Sequence, residues 1–255
     1  MSVSPHVQSA HRVRFDWGLT GARLTASGST IVVVVDVLSF STTVSVAMDS
    51  AVEVFPCPWG DERAKTVARE NGATLAVGRS AAREGPGVSL SPASVRRAVG
   101  LTKLVLPSPN GSTISLALSE AGTTVVPACL RNRSAVVRWL ADALGADPSA
   151  SLTVIAAGER WPDGTLRPCL EDFLGAGAVL AGISALGFGD LSPEAATAAD
   201  AWQATPNLNT LRRCASAVEL SEQGFGHDVD IALEDDQSDH VPLLVDSRFV
   251  RASRA

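Results

Sequence analysis

This sequence lacks the features that mark several large classes of protein. Its 21 lysines and arginines are outnumbered by 27 acidic residues, and the net charge of −6 argues against a nucleic-acid or anionic-membrane partner. The longest purely apolar run, residues 31–35, is far too short to cross a bilayer. Residues 1–6 lack the basic and apolar segments of a signal peptide. These absences favour a cytoplasmic protein with no nucleic-acid and no membrane partner.

Several catalytic and metal-binding signatures are also absent. The cysteines form no C-x-x-C pair, which favours reduced thiols over structural zinc, and the histidines form no metal-ligand cluster. There is no Walker A sequence and no G-x-S-x-G elbow. Asp36 is not followed by the second aspartate of the D-x-D phosphatase motif. Asp228 and Asp230 have that spacing, but they follow no buried strand, so we interpret them as a surface or capping segment.

Three segments share one layout, in which an apolar run leads through a polar turn into a helical pattern. The runs are residues 31–35, 103–106 and 152–156. Strands that are apolar at every position are covered on both faces, and their alternation with helices is typical of α/β proteins. The sequence therefore predicts a layered α/β/α fold with a mixed, largely parallel sheet. It also predicts helices over residues 171–183 and 210–224 and a late strand over residues 241–245. We expect one domain over residues 1–255, with two intimately packed halves, 1–130 and 131–255, as the alternative.

The first two of these units have similar sequences. Three pairs of identical residues are each 70 positions apart, namely Thr43 and Thr113, Ser45 and Ser115, and Ala47 and Ala117. This similarity suggests an internal pseudo-repeat, whose two polar turns would face each other across one pocket.

Hydroxyl and amide groups are concentrated in those two turns. The candidates for anion binding are Ser41, Thr42, Thr43, Asn110, Gly111 and Ser112. Ligands of open α/β sheets collect where strands end and helices begin, and helix N-termini favour phosphate. The alternative is that the serines and threonines only cap the helices.

Three carboxylates are placed where they could hold a metal ion. Asp36 ends a wholly apolar strand, and Glu171 and Asp172 open a predicted helix. Together they would offer the oxygen ligands that Mg²⁺ takes, with water and phosphate oxygens completing the octahedron. The alternatives are that Asp36 caps the following turn, and that the helical pair only complements the helix dipole.

Taken in order along the chain, these residues resemble the 2-phosphosulfolactate phosphatase, or ComB-like, family. The resemblance runs from Val33 to Pro242. It is carried by Asp36-Val37-Leu38 leading into Ser41-Thr42-Thr43, then Ser91-Pro92, Asn110-Gly111-Ser112, Asn132, Ala157-Gly158, Glu171-Asp172 before Ala176-Gly177, residues 224–228, and Val241-Pro242.

The resemblance implies a Mg²⁺-dependent hydrolase that converts a small phosphorylated, sulfonated acid, 2-phosphosulfolactate, into sulfolactate and phosphate. It implies that Asp36, Glu171 and Asp172 hold the metal and are catalytic, and that a water attacks in line, with a carboxylate as the default group that activates it. The implied substrate-binding residues are Ser41, Thr42, Thr43, Ser91, Asn110, Gly111, Ser112 and Asn132, to which we add Arg160 for its charge. A homodimer is compatible with the sequence.

The chain departs from the family pattern at three places. Ser39 stands where family members often have arginine, Arg79 where glutamate is common, and Leu90 where asparagine precedes Ser-Pro. Arg131 and Arg133 add charge near the proposed loops, although Arg133 is expected to be solvated surface. Two alternatives therefore stay open, a phosphatase for another small phosphoester and a non-catalytic anion-binding protein of the same fold.

Overall fold

The computed structural model describes residues 4–83, 87–205 and 207–252. Its strands are β1 Val13–Trp17, β2 Ile31–Val35, β3 Glu53–Pro58, β4 Thr74–Leu75, β5 Lys103–Ser108, β6 Thr124–Ala128, β7 Leu152–Ala156, β8 Glu159–Arg160, β9 Leu166–Arg167, β10 Pro242–Val245 and β11 Arg248–Arg251. Its α-helices are α1 Gly18–Thr25, α2 Phe40–Asp49, α3 Arg63–Asn71, α4 Arg79–Arg83, α5 Pro92–Arg97, α6 Gly111–Glu120, α7 Arg133–Ala146, α8 Leu170–Ala185, α9 Pro193–Gln203, α10 Ala215–Glu222 and α11 Gly226–Ala232. Three short 3₁₀ segments are Pro5–Val7, Leu130–Asn132 and Leu208–Arg213.

Four parallel strands form a sheet in the order β1, β7, β2, β6. Helices cover both of its faces. Val33 and Val35 share one apolar core with residues of α7, α8 and α9, whereas Val32 and Val34 share another with residues of α1 and α6. Successive side chains of a strand point to opposite faces, so the apolar run of β2 fills both cores. This arrangement confirms the predicted α/β class with layers of helices around a parallel sheet.

The remaining long strands form a second, mixed sheet in the order β10, β11, β3, β5, β4. Strands β3, β5 and β4 are parallel, while β10 and β11 pair antiparallel to each other and β11 to β3. Most of the observed strand pairs are parallel, as predicted, but they are divided between two sheets. The late strand expected at residues 241–245 is confirmed as β10.

Two connections join the sheets. The unit β2–α2–β3 runs from the four-stranded sheet to the mixed one, and β5–α6–β6 runs back. Both helices begin close to their preceding strands, which brings the starts of α2 and α6 together. The pseudo-repeat and the single-domain boundaries stay predictions.

Helix α8 carries two acidic residues into the interior. It was predicted at residues 171–183 and is observed at Leu170–Ala185. It packs so closely on α9 that a Cβ on Gly177 would lie 2.2 Å from the carbonyl oxygen of Ala198. This packing fixes the first turn of α8, with Glu171 and Asp172, below the end of β2.

Two helix predictions need correction. The helix expected over residues 210–224 is a 3₁₀ segment and α10, because the backbone of Cys214 is extended at φ −68° and ψ 156°. The polar turns, predicted over residues 39–43 and 107–113, are shorter, since α2 begins at Phe40 and α6 at Gly111.

No helix within the described ranges is long and apolar enough to span a membrane.

Candidate active site

A cavity of about 220 Å³ lies at the carboxyl ends of β2 and β5. One wall is Asp36 with residues 38–40, a second is residues 106–110, and the rest is formed by Trp59, Arg79, Leu90 and Glu159. Two polar turns therefore do face each other across one pocket, as the sequence predicted. The cavity combines two carboxylates, an amide and a guanidinium.

Asp36 connects the two turns. Its Oδ1 accepts a hydrogen bond from the backbone N–H of Phe40 at 3.0 Å, and its Oδ2 accepts one from Gly111 at 3.0 Å. Burial raises the pKa of Asp36 to about 7, against the opposing effect of the Phe40 N–H, and the negative charges of Glu159 and Glu171 add to the rise. The side chain can therefore exchange a proton, or gain a cation, near neutral pH.

Gly111 is required by this close approach. A Cβ at this position would lie 2.2 Å from a ring carbon of Phe40 and 2.8 Å from Oδ2 of Asp36. Any larger residue would push α6 away from Asp36 and remove the hydrogen bond between them. The role of Gly111 in the predicted anion pocket is thus to bring its backbone to the carboxylate.

Glu159 is a site residue that sequence reasoning missed. It lies three residues after the end of β7, borders the cavity described above (the main cavity) and lines two neighbouring cavities. Burial raises the pKa of Glu159, and a hydrogen bond from the side chain of Asn110 works in the opposite direction. Its signal was present in the sequence, because a carboxylate after a buried strand is the pattern that identified Asp36.

Asp172 ties the ends of two strands together. Its Oδ1 accepts the backbone N–H of Val37 at 2.7 Å, and its Oδ2 accepts that of Gly158 at 2.9 Å. Gly158 adopts φ +63°, a conformation that favours glycine. Burial raises the pKa of Asp172 well above its usual value, and the charges of Asp36 and Glu171 raise it further.

Glu171 is buried beside a thiol. Its Oε2 accepts a hydrogen bond from Sγ of Cys214 at 3.2 Å. Burial, followed by the charge of Glu171, raises the pKa of Cys214 to about 12, so the thiol stays protonated and donates. Neither Glu171 nor Asp172 is among the described residues that line the main cavity.

The predicted hydroxyl groups bind the first turns of α2 and α6 to carbonyls of strands β2 and β5 and of two loops. Each donates to a backbone carbonyl, Ser41 to residue 34 at 3.0 Å, Thr42 to residue 37 at 2.7 Å, Thr43 to residue 90 at 2.9 Å and Ser112 to residue 106 at 2.8 Å. All four residues are almost completely buried. These bonds hold the starts of α2 and α6 in place, which in turn aligns the backbone around Asp36.

The other predicted binding residues occupy three different surroundings. Asn132 is fully buried, and its Oδ1 accepts the N–H of Cys129 at 2.9 Å. Ser91 caps α5 and donates to Asp228. Arg160 is exposed and lines two cavities that adjoin the main one. Ser91 and Arg160 therefore each line a cavity next to the main one, and Asn132 is not among the described residues that line these cavities.

The arginines are distributed differently from the sequence expectation. Arg131 is buried and pairs with Asp49 and Glu234. Arg133, expected to be solvated, is only 24 % exposed in its side chain and pairs with Asp235 at 2.6 Å. Both therefore neutralise acidic side chains outside the main cavity.

The interpretation of Asp228 as a surface residue is wrong. Its side chain is 1 % exposed and accepts a hydrogen bond from Nε of Arg79 at 3.0 Å, whereas Asp230 is 54 % exposed as expected. The error arose because α11 folds back against residues far away in the chain, which no local pattern reveals.

The carboxylates of the cavity fit a magnesium ion. No three His, Cys, Asp or Glu side chains of the described residues form a ready-made cage. Proteins commonly hold Mg²⁺ with one or two carboxylates, while water and substrate phosphate supply the other oxygens. Asp36 and Glu159 provide two such groups on one cavity, and their mutual repulsion would be relieved by a cation.

Comparison with known proteins gives two matches that extend over most of the chain. A family model for 2-phosphosulpholactate phosphatase matches residues 21–247. A 2-phosphosulfolactate phosphatase of Methanothermobacter thermautotrophicus is 30% identical over 224 residues, which cover 87% of this chain and 90% of that protein. Both matches extend over the strands and helices that build the cavity.

Proposed function

This chain belongs to the 2-phosphosulfolactate phosphatase family, and we propose that it uses Mg²⁺ to hydrolyse 2-phosphosulfolactate to sulfolactate and phosphate. Members of this family are phosphoric monoester hydrolases. The observation that carries the proposal is the cavity in which Asp36 and Glu159 meet the start of α6 and the guanidinium of Arg79.

The phosphoryl group would bind between Asp36 and the start of α6. The amide of Asn110 borders the cavity there, and the positive end of the α6 dipole favours an anion. Asn110 also hydrogen bonds to Glu159, so one side chain positions a carboxylate and offers a donor to the substrate. The half-buried cavity limits the water around the ester.

We place the metal ion between Asp36 and Glu159. When bound, the ion would neutralise phosphoryl oxygens and lower the pKa of the attacking water. The backbone N–H groups of Phe40 and Gly111 hold Asp36 in its orientation, so the carboxylate is ordered before the substrate arrives. The alternative ligand set is Asp36 with Glu171 and Asp172, as the sequence predicted.

Asp172 and Glu171 would then hold other residues of the site in position. Asp172 fixes the backbone at Val37 and Gly158, which immediately follow Asp36 and precede Glu159. The distance between the two cavity carboxylates therefore depends on Asp172. In-line displacement at phosphorus is sensitive to such spacing, because catalysis of phosphoryl transfer rests mainly on orientation and charge neutralisation.

A second substrate has one observation in its favour. The cavity contains Ser39, Arg79 and Leu90, the three positions at which the chain departs from the family pattern. A rearranged charge could select a different small phosphorylated acid while the hydrolysis itself stays the same.

The test is phosphate release by the purified protein with Mg²⁺ on 2-phosphosulfolactate, beside a panel of small phosphorylated acids. We expect 2-phosphosulfolactate to be the best substrate, with no release after addition of EDTA. Preferential release of phosphate from another acid would change the assigned substrate but not the proposed mechanism. Folded protein that releases phosphate from no member of the panel would contradict the proposal.

A further inference from the structure

Arg79 is a basic residue placed in the wall of the main cavity. It begins α4, its side chain is 20 % exposed, and it lines the main cavity and two adjoining ones. No other lysine or arginine is found among the described residues that line the main cavity. Asp36 and Glu159 lie on the same cavity, so its charge would be strongly negative without Arg79.

Three contacts fix the guanidinium in place. Its Nε donates to Asp228 at 3.0 Å, its Nη2 donates to Ser39 at 2.5 Å, and its Cζ lies 5.7 Å from the ring centre of Phe225. Asp228 is itself held by the hydroxyl of Ser91. A side chain ordered in this way loses little conformational entropy when a ligand binds.

The guanidinium also has donors to offer. The two hydrogen bonds seen within the described part of the chain account for two of its five N–H groups. One of these bonds ends on a neutral hydroxyl, so Asp228 is the one ion-pair partner of Arg79 among the described residues. The planar fork matches carboxylate and sulfonate oxygens and suits them better than a lysine would.

We propose that Arg79 binds a non-transferred anionic group of the substrate, a carboxylate or a sulfonate, and so selects phosphorylated acids over simple phosphomonoesters. This inference rests on the proposed function. Asp36 and Glu159 would bind the phosphoryl group through the metal ion. Arg79, elsewhere in the cavity wall, binds the carboxylate or sulfonate of the same substrate. Ser39 and Asp228 orient Arg79 from two sides.

Two departures from the pattern of the resembled family meet in this contact. Ser39 stands where that pattern has arginine and Arg79 where it has glutamate, and here a hydrogen bond joins the two residues. An exchange of the two residue types would keep a guanidinium at this contact. The double substitution Ser39→Arg with Arg79→Glu should therefore restore part of what Arg79→Glu alone removes.

The experiment compares kcat/KM for 2-phosphosulfolactate and for p-nitrophenyl phosphate, which has no second anionic group. In Arg79→Gln we expect the ratio of the two values to fall about 30-fold, mainly through KM for the acid, because a charge-assisted hydrogen bond is lost. Phospholactate, which lacks the sulfonate, then identifies the group bound. Arg69→Gln, on the exposed face of α3, is the matched control and should leave the ratio unchanged.

The outcomes separate this inference from the proposed function. Wild-type protein that hydrolyses neither compound would contradict the proposed function, whereas an unchanged ratio in Arg79→Gln would overturn the role of Arg79 alone. Calorimetric binding of sulfolactate gives a second measurement without turnover. Its Kd should rise at least about tenfold in Arg79→Gln, and an unaltered Kd in folded protein would also overturn the inference.

Discussion

The carboxylates at the end of β2 belong to two regions that differ in what their oxygen atoms face. Asp36 and Glu159 border the cavity, and Asp36 also accepts two backbone N–H groups. Asp172 and Glu171 are not among the described residues that line the cavity, and they accept two backbone N–H groups and a thiol, respectively. The sequence predicts one shared role for Asp36, Glu171 and Asp172. Neighbouring acidic side chains can therefore have different functions. Those that border the cavity can take part in chemistry, and those that accept backbone N–H groups hold the backbone in position.

Removing the Asp36 charge should have the largest effect. We expect Asp36→Asn to lower kcat/KM for 2-phosphosulfolactate by about 10³-fold, because a ligand and an ordered charge are lost together. Steady-state phosphate release measures this effect. The control is Asp142→Asn on the exposed face of α7, which should retain full activity. A loss of less than about tenfold in Asp36→Asn would remove Asp36 from the catalytic site.

Asp172→Ala should act mainly on stability. Two buried N–H groups lose their acceptor, so the free energy of unfolding should fall by about 2–4 kcal/mol, measured by urea denaturation. Activity should fall about 10- to 100-fold through displaced cavity residues. Asp142→Ala is the control, because it removes a carboxylate that is exposed to solvent. A variant with wild-type stability and no activity would instead place Asp172 among the catalytic groups.

The pH dependence of stability should separate the cavity from exposed acidic residues. The pKa of Asp36 is about 7 in the folded protein and about 4 when unfolded, so the folded state binds the extra proton between those values. Asp36 therefore lowers stability as the pH rises from about 4 to 7, and Mg²⁺ should reverse this loss because it favours the ionised form. Denaturation of wild type and Asp36→Asn at several pH values, with EDTA and with Mg²⁺, measures the difference. A wild type that shows no greater loss than Asp36→Asn over this range would contradict the assignment.

Glu171→Gln should have the smallest effect. The amide oxygen of glutamine can still accept the hydrogen bond from Cys214, and the side chain lies behind the cavity wall. We expect kcat/KM to change less than about fivefold. A loss as large as that of Asp36→Asn would show that Glu171 reaches the reacting groups.

Much of the fold could be predicted because the buried strands consist almost wholly of apolar residues. Strands β2 and β7 were located to the residue, and Asp36 and Asn110 were found because they follow such strands. The location of Arg79 could not be predicted, since its ion pair with Asp228 joins residues 149 positions apart. The roles of Ser41 and Asp172 were equally invisible, because a hydroxyl or carboxylate near a ligand has the same sequence signal as one that bonds to the backbone.

The most direct test of this difference between the two regions is the rise in melting temperature caused by Mg²⁺. Binding to the folded state alone raises stability by mass action. We expect Mg²⁺ to raise the melting temperature of wild type and of Asp172→Ala, and to leave those of Glu159→Gln and Asp36→Asn nearly unchanged. A full rise in Glu159→Gln with none in Asp172→Ala would contradict the cavity site and place the ion among Asp36, Glu171 and Asp172.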